Sequence, residues 1–193
     1  MKIIGITGTI GAGKGTIVEY LVIEKGFRHF SVRGFLTEEV KRRGMEVNRD
    51  SFVTVANDLR AKHSPSYIAE ALFQEAEKTG MDCVIESLRT EGEVEALKSK
   101  GNFYLFAVDA KPEIRYERIL KRASETDNIS YDTFLDNERR EMQSDDPNKQ
   151  NLKACIQQAD YLFRNDGTIA ELYARVQNAL EEIDKAPEME NDP

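Results

Sequence analysis

The sequence is poor in the residues that build metal and redox centres. Its 193 residues include two cysteines, Cys83 and Cys155, and two histidines, His29 and His63. The cysteines lie far apart and neither has a partner at metal-ligand spacing. Cys83 sits in an apolar run. Both therefore read as inert thiols in a reducing compartment, and the isolated histidines argue against a zinc site. Positive charge is also in short supply, with 27 Lys and Arg against 35 Asp and Glu and a net charge of -8. That excludes a general binder of nucleic acid or of acidic membranes, both of which need basic surface. It leaves room for a local basic pocket. No apolar stretch reaches membrane-spanning length. The opening MKIIGITG has one positive charge and a very short apolar run, unlike a secretory leader. The expectation is a soluble cytoplasmic protein, a monomer or a small homo-oligomer.

What is present suits one domain with a real core, since 40% of the residues are hydrophobic. Short apolar runs at residues 2–7, 27–31, 82–87, 102–110 and 161–165 read as five strands. Helical patterns alternate with them at about 16–25, 34–43, 49–62, 64–78, 90–99 and 112–122, then at 132–142, up to 159, and from 168 onward. Ser64 before Pro65 reads as a helix cap, Thr90 with Glu93 as a capping box, and Thr168 as the last cap. Such alternation predicts an α/β fold, a parallel five-stranded sheet with helices on both faces. The tail 184–193 is acidic, has two prolines and reads as disordered.

In that architecture ligands meet the carboxyl ends of the strands. The rule selects the loop after Thr7, the segment after Ser31, the run from Glu86 to Arg89, and Asp109. The first of these, GTIGAGKGT at residues 8–16, follows a strand and opens a helix. Gly8, Gly11, Gly13 and Gly15, with Ala12 between them, allow a backbone curl whose N–H groups and helix dipole hold phosphate oxygens, while Lys14 reaches the outer phosphates. The usual pattern places Ser or Thr directly after the lysine. Here Gly15 intervenes and the hydroxyl falls at Thr16.

The G-K-G-T ending resembles the loop of adenylate kinase and related nucleoside monophosphate kinases. The resemblance extends over about residues 1–183 and implies a P-loop, or Walker A, kinase domain of three layers. It implies ATP and Mg2+, with Thr16 near the phosphates and Glu86 holding the metal through water. The segment ending at Glu86 and followed by Arg89 is similar to the strand end where such kinases carry an acid and an acceptor-binding arginine. Glu86 departs from the usual aspartate. NDLR at 57–60 offers Arg60 as a second acceptor grip. FSVRGFL resembles an acceptor segment S-T-G-D-x-L-R through Ser31, but Arg33 stands at a glycine position and Thr37 at the arginine. That departure puts adenosine monophosphate in question as the acceptor.

The resemblance also implies an acceptor-binding lobe at about 32–80 and a short lid at about 122–145. Arg118, Arg122 and Arg139 would close over the transferring phosphate, while Arg115 and Arg140 read as a solvated basic face. Asn165 and Gly167, with Asp166, would lie against the nucleotide base. The expected activity is transfer of a phosphoryl group from ATP to a small phosphorylated acceptor, most directly a nucleoside or deoxynucleoside monophosphate. Two alternatives stay open: a hydroxyl kinase of the dephospho-coenzyme A type, with Glu86 as base, and a non-catalytic nucleotide sensor. A GTP switch is disfavoured, because RNDG at 164–167 lacks the lysine of a guanine-reading N-K-x-D.

Overall fold

The computed structural model describes residues 1–122 and 129–185. Its elements are β1 (Ile3–Gly8), α1 (Lys14–Ile23), β2 (Arg28–Ser31), α2 (Val32–Arg42), α3 (Arg49–Lys62), α4 (Tyr67–Glu77), β3 (Cys83–Glu86), α5 (Glu91–Lys98), β4 (Phe103–Asp109), α6 (Pro112–Arg122), α7 (Tyr131–Met142), α8 (Leu152–Gln157), β5 (Tyr161–Arg164) and α9 (Ile169–Lys185). The five strands form one sheet, ordered β2-β3-β1-β4-β5, with every neighbouring pair parallel. The chain steps to one side of β1 for β2 and β3, then to the other for β4 and β5. The crevice of such a sheet falls at this reversal, at the end of β1.

Two apolar layers cover the sheet. On one face Ile3, Ile85, Leu105 and Phe103 pack with residues of α2 to α5, such as Leu36, Val55, Phe73 and Leu97. On the other, Ile4, Ile6, Phe106 and Phe163 pack with Ile17 and Leu21 of α1 and Val176 and Leu180 of α9. The central strand is buried along its whole length, the continuous apolar pattern expected when helices cover both faces. Cys83 and Cys155 are free and buried, and burial pushes the Cys155 thiol up to about 12.

Helix ends show where local signals were read correctly and where they were outbid. The Thr90–Glu93 capping box forms as expected, and Thr168 accepts from the backbone of Glu171 while Glu171 accepts from Thr168. By contrast α4 opens at Tyr67, two residues past Pro65, and Ser64 is not its side-chain cap. Helix α2 begins at Val32, with Ser31 as the cap accepting from Gly34 N at 3.2 Å. Helix α9 continues to Lys185, so residues 184 and 185 are helical and not part of a disordered tail. Residues 186–193 lie outside the described residues.

The β1–α1 connection is tight. Gly8, Gly11 and Gly13 have φ of 140°, 75° and 108°. A Cβ at Gly8 would stand 2.0 Å from Val108 O, one at Gly11 2.5 Å from Arg115 O, and one at Gly13 2.4 Å from Asn165 Nδ2. Around Gly15 the space is open, with nothing within 4 Å. The unusual Gly15 is therefore a choice about the ligand side of the loop and not a packing requirement.

A second constraint ties α3 to α5. Arg60 donates from Nη2 to Glu93 Oε1 at 3.0 Å, with the two side chains 9% and 1% exposed. The other carboxylate oxygen of Glu93 accepts from the backbone N–H groups of Arg89 and Thr90.

Two outcomes are expected. Gly13→Ala strains the loop and abolishes its native conformation, whereas Gly15→Ala leaves the melting temperature unchanged or slightly higher; thermal melts of the two variants read this directly. Glu93→Ala strands Arg60 as a buried unpaired charge, costs about 3–5 kcal/mol and lowers the melting temperature by about 10 °C, given about 2–4 °C per kcal/mol at this size.

Candidate functional site

At the end of β1 the chain opens a cleft of about 630 Å³ lined by the phosphate loop, the end of β3, one face of α6 and the start of α9. Gly11, Gly13, Lys14, Gly15 and Thr16 of the loop line it, together with Glu19, Glu86, Arg118, Ile119, Arg122, Asn165 and Ile169. Strand geometry explains the assembly. Parallel pairing sets Ile6 beside Glu86, and Ser31 beside Glu86 on the other flank. The acid thus arrives next to the loop through register alone.

Lys14 is the first residue of α1. Its ammonium folds back over the loop and donates to Gly8 O and Thr9 O, both at 2.8 Å. Burial pushes its pKa down to about 8, and the Arg89 guanidinium adds to the effect, while Glu141 and Glu86 oppose it. A lysine held by two neutral carbonyls, and among the described residues by no carboxylate bond, is readily handed over to a polyanion.

The Glu86 carboxylate meets His29 Nε2 at 3.1 Å. That imidazole holds the Glu86 carboxyl below the usual carboxylate range, against the effect of burial, with help from Lys14 and Arg89. Glu86 is therefore ionised at neutral pH. The next residue, Ser87, has a φ of 74°, the left-handed region that is uncommon outside glycine. Backbone strain of this kind concentrates at ligand sites.

The outer wall of the loop is braced by side chains. Asn165 Nδ2 donates to Ala12 O at 2.8 Å, and Arg118 donates to Asn165 O at 2.9 Å and Ala12 O at 3.5 Å. Thr9 Oγ1 donates to Asp109 Oδ1 at 2.7 Å, and Arg164 reaches the other oxygen of that carboxylate at 2.7 Å. Arg118 and Asn165 thus both brace the loop and line the cleft. Arg122 lines the cleft as well.

The remaining expected residues are placed elsewhere. Gly8 and Ala12 support the loop from behind, Ala12 fully buried. The hydroxyl of Ser31 caps α2, and Arg33 lies 5.7 Å from the centroid of the Phe52 ring. Arg60 is committed to Glu93, and Arg89 donates to Gln150 Oε1 at 2.9 Å, with Glu141 Oε2 at 3.5 Å. Gly167 lies beside Glu171, whose carboxylate a Cβ there would strike. Arg139 is 74% exposed and paired with Asp136.

One reading is overturned. Arg115 is not part of a solvated face but is buried, 3% exposed, with donors on Ala110 O, Ile10 O and Glu138. The stripe of Arg115, Arg118 and Arg122 is real, but the start of α6 abuts the loop, so its first member points inward. Helix α7, within the expected lid, is docked by that contact and by the fully buried Phe134. Residues 123–128 of the same stretch lie outside the described residues. His29, Glu141 and Gln150 were not singled out from the sequence. A parallel pairing of the strands at 28–31 and 83–86 would have signalled His29; nothing local signals the other two.

Comparison with known proteins agrees with this geometry. Residues 4–145 match the AAA domain family model. A UPF0200 protein of Sulfurisphaera tokodaii is 29% identical over 185 residues, which is 95% of this chain and 98% of that protein. Among solved structures, dephospho-CoA kinase from Campylobacter jejuni is similar with a TM-score of 0.58 and 15% identity over 96% of this chain and 98% of that one. Shikimate kinase from Bacteroides thetaiotaomicron has a TM-score of 0.58 and 15% identity over 93% and 98%. Matched along most of its length by that family model, and built on the sheet order, loop and cleft described above, the chain belongs to the AAA domain family and has the fold of the P-loop kinases.

Proposed function

We propose that the protein transfers the terminal phosphoryl group of ATP to a small phosphorylated acceptor, most directly a nucleoside or deoxynucleoside monophosphate. The observation that carries this reading is Lys14, held by two loop carbonyls and lining a cleft wide enough for a nucleotide. On binding, the ammonium exchanges two neutral carbonyls for phosphate oxygens. The loop N–H groups and the start of α1 supply further positive potential. Arg122 lines the same cleft and is suited to the transferring group. Arg118, which holds Asn165 O and Ala12 O, braces the loop instead. Arg89 is the acceptor grip in reach of the loop, and Arg60 acts through Glu93 by holding the Arg89 backbone.

Glu86 and Thr16 line the cleft together and provide a carboxylate and a hydroxyl, a donor set that fits Mg2+ directly or through water. An ion held there would offset the negative charge of the phosphates. Catalysis by this chain's own groups is then positioning and charge neutralisation, since a phosphate acceptor already carries its nucleophilic oxygen.

A second reading is favoured by one contact. His29 beside Glu86 holds that carboxylate ionised at the strand end, where a hydroxyl acceptor would need a base. The solved neighbours named above are a dephospho-CoA kinase and a shikimate kinase. An acceptor screen across nucleoside monophosphates, dephospho-coenzyme A and sugar or polyol hydroxyls separates the readings. Glu86→Gln is expected to slow hydroxyl phosphorylation by about 100- to 10,000-fold, the usual worth of a general base, and phosphate phosphorylation far less. Binding of ATP with no turnover of any acceptor would favour a sensor and defeat the kinase proposal.

Lys14→Ala is expected to lower turnover by about 100- to 1,000-fold, as for loss of one preorganised donor, with the fold intact by circular dichroism. Lys14 also predicts a pH dependence. With its pKa near 8 in the free protein, and raised by bound phosphates, nucleotide affinity falls as pH rises through 8, by up to about tenfold per pH unit. Calorimetry at pH 8.5 in buffers of different ionisation enthalpy should show net proton uptake on binding; its absence would show that Lys14 does not meet the phosphates.

A further inference from the structure

Arg115 joins three elements through one side chain. Nε donates to Ala110 O at 2.7 Å, just past β4. Nη1 donates to Ile10 O in the phosphate loop at 3.3 Å, and Nη2 donates to Glu138 Oε1 of α7 at 2.5 Å. Asp109 Oδ1 lies 3.7 Å from Nε, and the Phe134 ring centroid 5.3 Å from the guanidinium carbon. The guanidinium is a rigid planar fork, so these partners fix its orientation and it fixes theirs. The backbone of Arg115 closes on the same place, since its carbonyl would lie 2.5 Å from a Cβ on Gly11.

The consequence falls on a single peptide. Across a planar trans peptide the carbonyl and the following N–H point to opposite sides. Drawing Ile10 O outward toward Arg115 turns the N–H of Gly11 the other way, and Gly11 lines the cleft. Glycine tolerates either orientation of its neighbouring peptide. A flip would set a carbonyl, not a donor, against an incoming phosphate. We infer that Arg115 is a positioning residue that holds the Ile10–Gly11 peptide with its N–H toward the bound polyphosphate, and that Glu138 makes this orientation depend on the docking of α7. The inference rests on the nucleotide-binding reading of the cleft. It concerns a residue that touches no substrate atom itself.

Three variants test it: Arg115→Lys, which keeps the charge but loses the fork; Glu138→Gln, which keeps an acceptor but loses the ion pair; and Leu97→Ala, a core truncation in α5 that destabilises without touching the loop. The first readout needs no ligand. Hydrogen exchange should speed up in the segment 8–13 of Arg115→Lys relative to the protected strands β1 and β4, and not in Leu97→Ala. The second is equilibrium binding of ATP and of inorganic tripolyphosphate, which has no base. Arg115→Lys should weaken both by the same factor, about tenfold, Glu138→Gln by less, and Leu97→Ala not at all.

Folded Arg115→Lys with unchanged exchange at 8–13 and unchanged affinity for both anions would overturn the inference. So would a loss confined to ATP, or one shared by Leu97→Ala. If Arg115→Lys fails to fold, Glu138→Gln carries the same comparison. If the unmodified protein binds neither anion while the exchange effect is present, the nucleotide reading fails and the role of Arg115 in shaping the loop stands.

Discussion

The nine residues 8–16, from the end of β1 into the first turn of α1, set the terms for the rest of the molecule. A loop that turns its N–H groups inward must turn its carbonyls outward, and buried carbonyls need donors. Loop carbonyls find them: Lys14 for Gly8 and Thr9, Arg115 for Ile10, Asn165 and Arg118 for Ala12. These donors come from α1, α6 and the segment after β5. The curl is therefore a tertiary object held from three sides, although its glycines are local. At Gly8 and Gly11 the close neighbour is backbone and has nowhere to move.

Charge is arranged against the average of the molecule. With a net charge of -8, the surface as a whole repels anions, yet Lys14, Arg118 and Arg122 converge on the cleft. A cation cluster walled by low-dielectric core focuses potential locally and matters more than the sum over the surface. Acidic groups temper it, Glu19 and Glu86 in the cleft lining among them. Glu86 stands at the strand end, and Glu141 approaches Arg89 from α7. Together with the loop carbonyls they keep the cations from being stranded in a dry site while no phosphate is present, since an unpaired buried charge is costly. The lowered pKa of Lys14 records how incomplete that compensation is.

The acceptor side is built differently. Residues there that resemble ligand-binding positions carry structural duties as well: Ser31 caps α2, Arg60 locks α3 to α5 through Glu93, and Arg89 is held by Gln150. Arg89 among them stands near enough to Lys14 to help lower its pKa, and Arg89 and Lys14 in turn help hold the Glu86 carboxyl low beside His29.

Much of this was legible in one dimension. The five apolar runs, the glycine spacing, the lysine at the head of a helix and the Thr90–Glu93 box depend on period, backbone conformation and contacts a few residues apart, which sequence encodes directly. They were enough to place the sheet, the loop and the acid at the end of β3. The inward turn of Arg115, the pairing of His29 with Glu86, the hold of Arg60 on Glu93 and the approach of Glu141 came only from the folded chain. Each joins residues on different elements, and whether a charged side chain meets solvent or a buried partner is decided by how those elements pack, which no local pattern records.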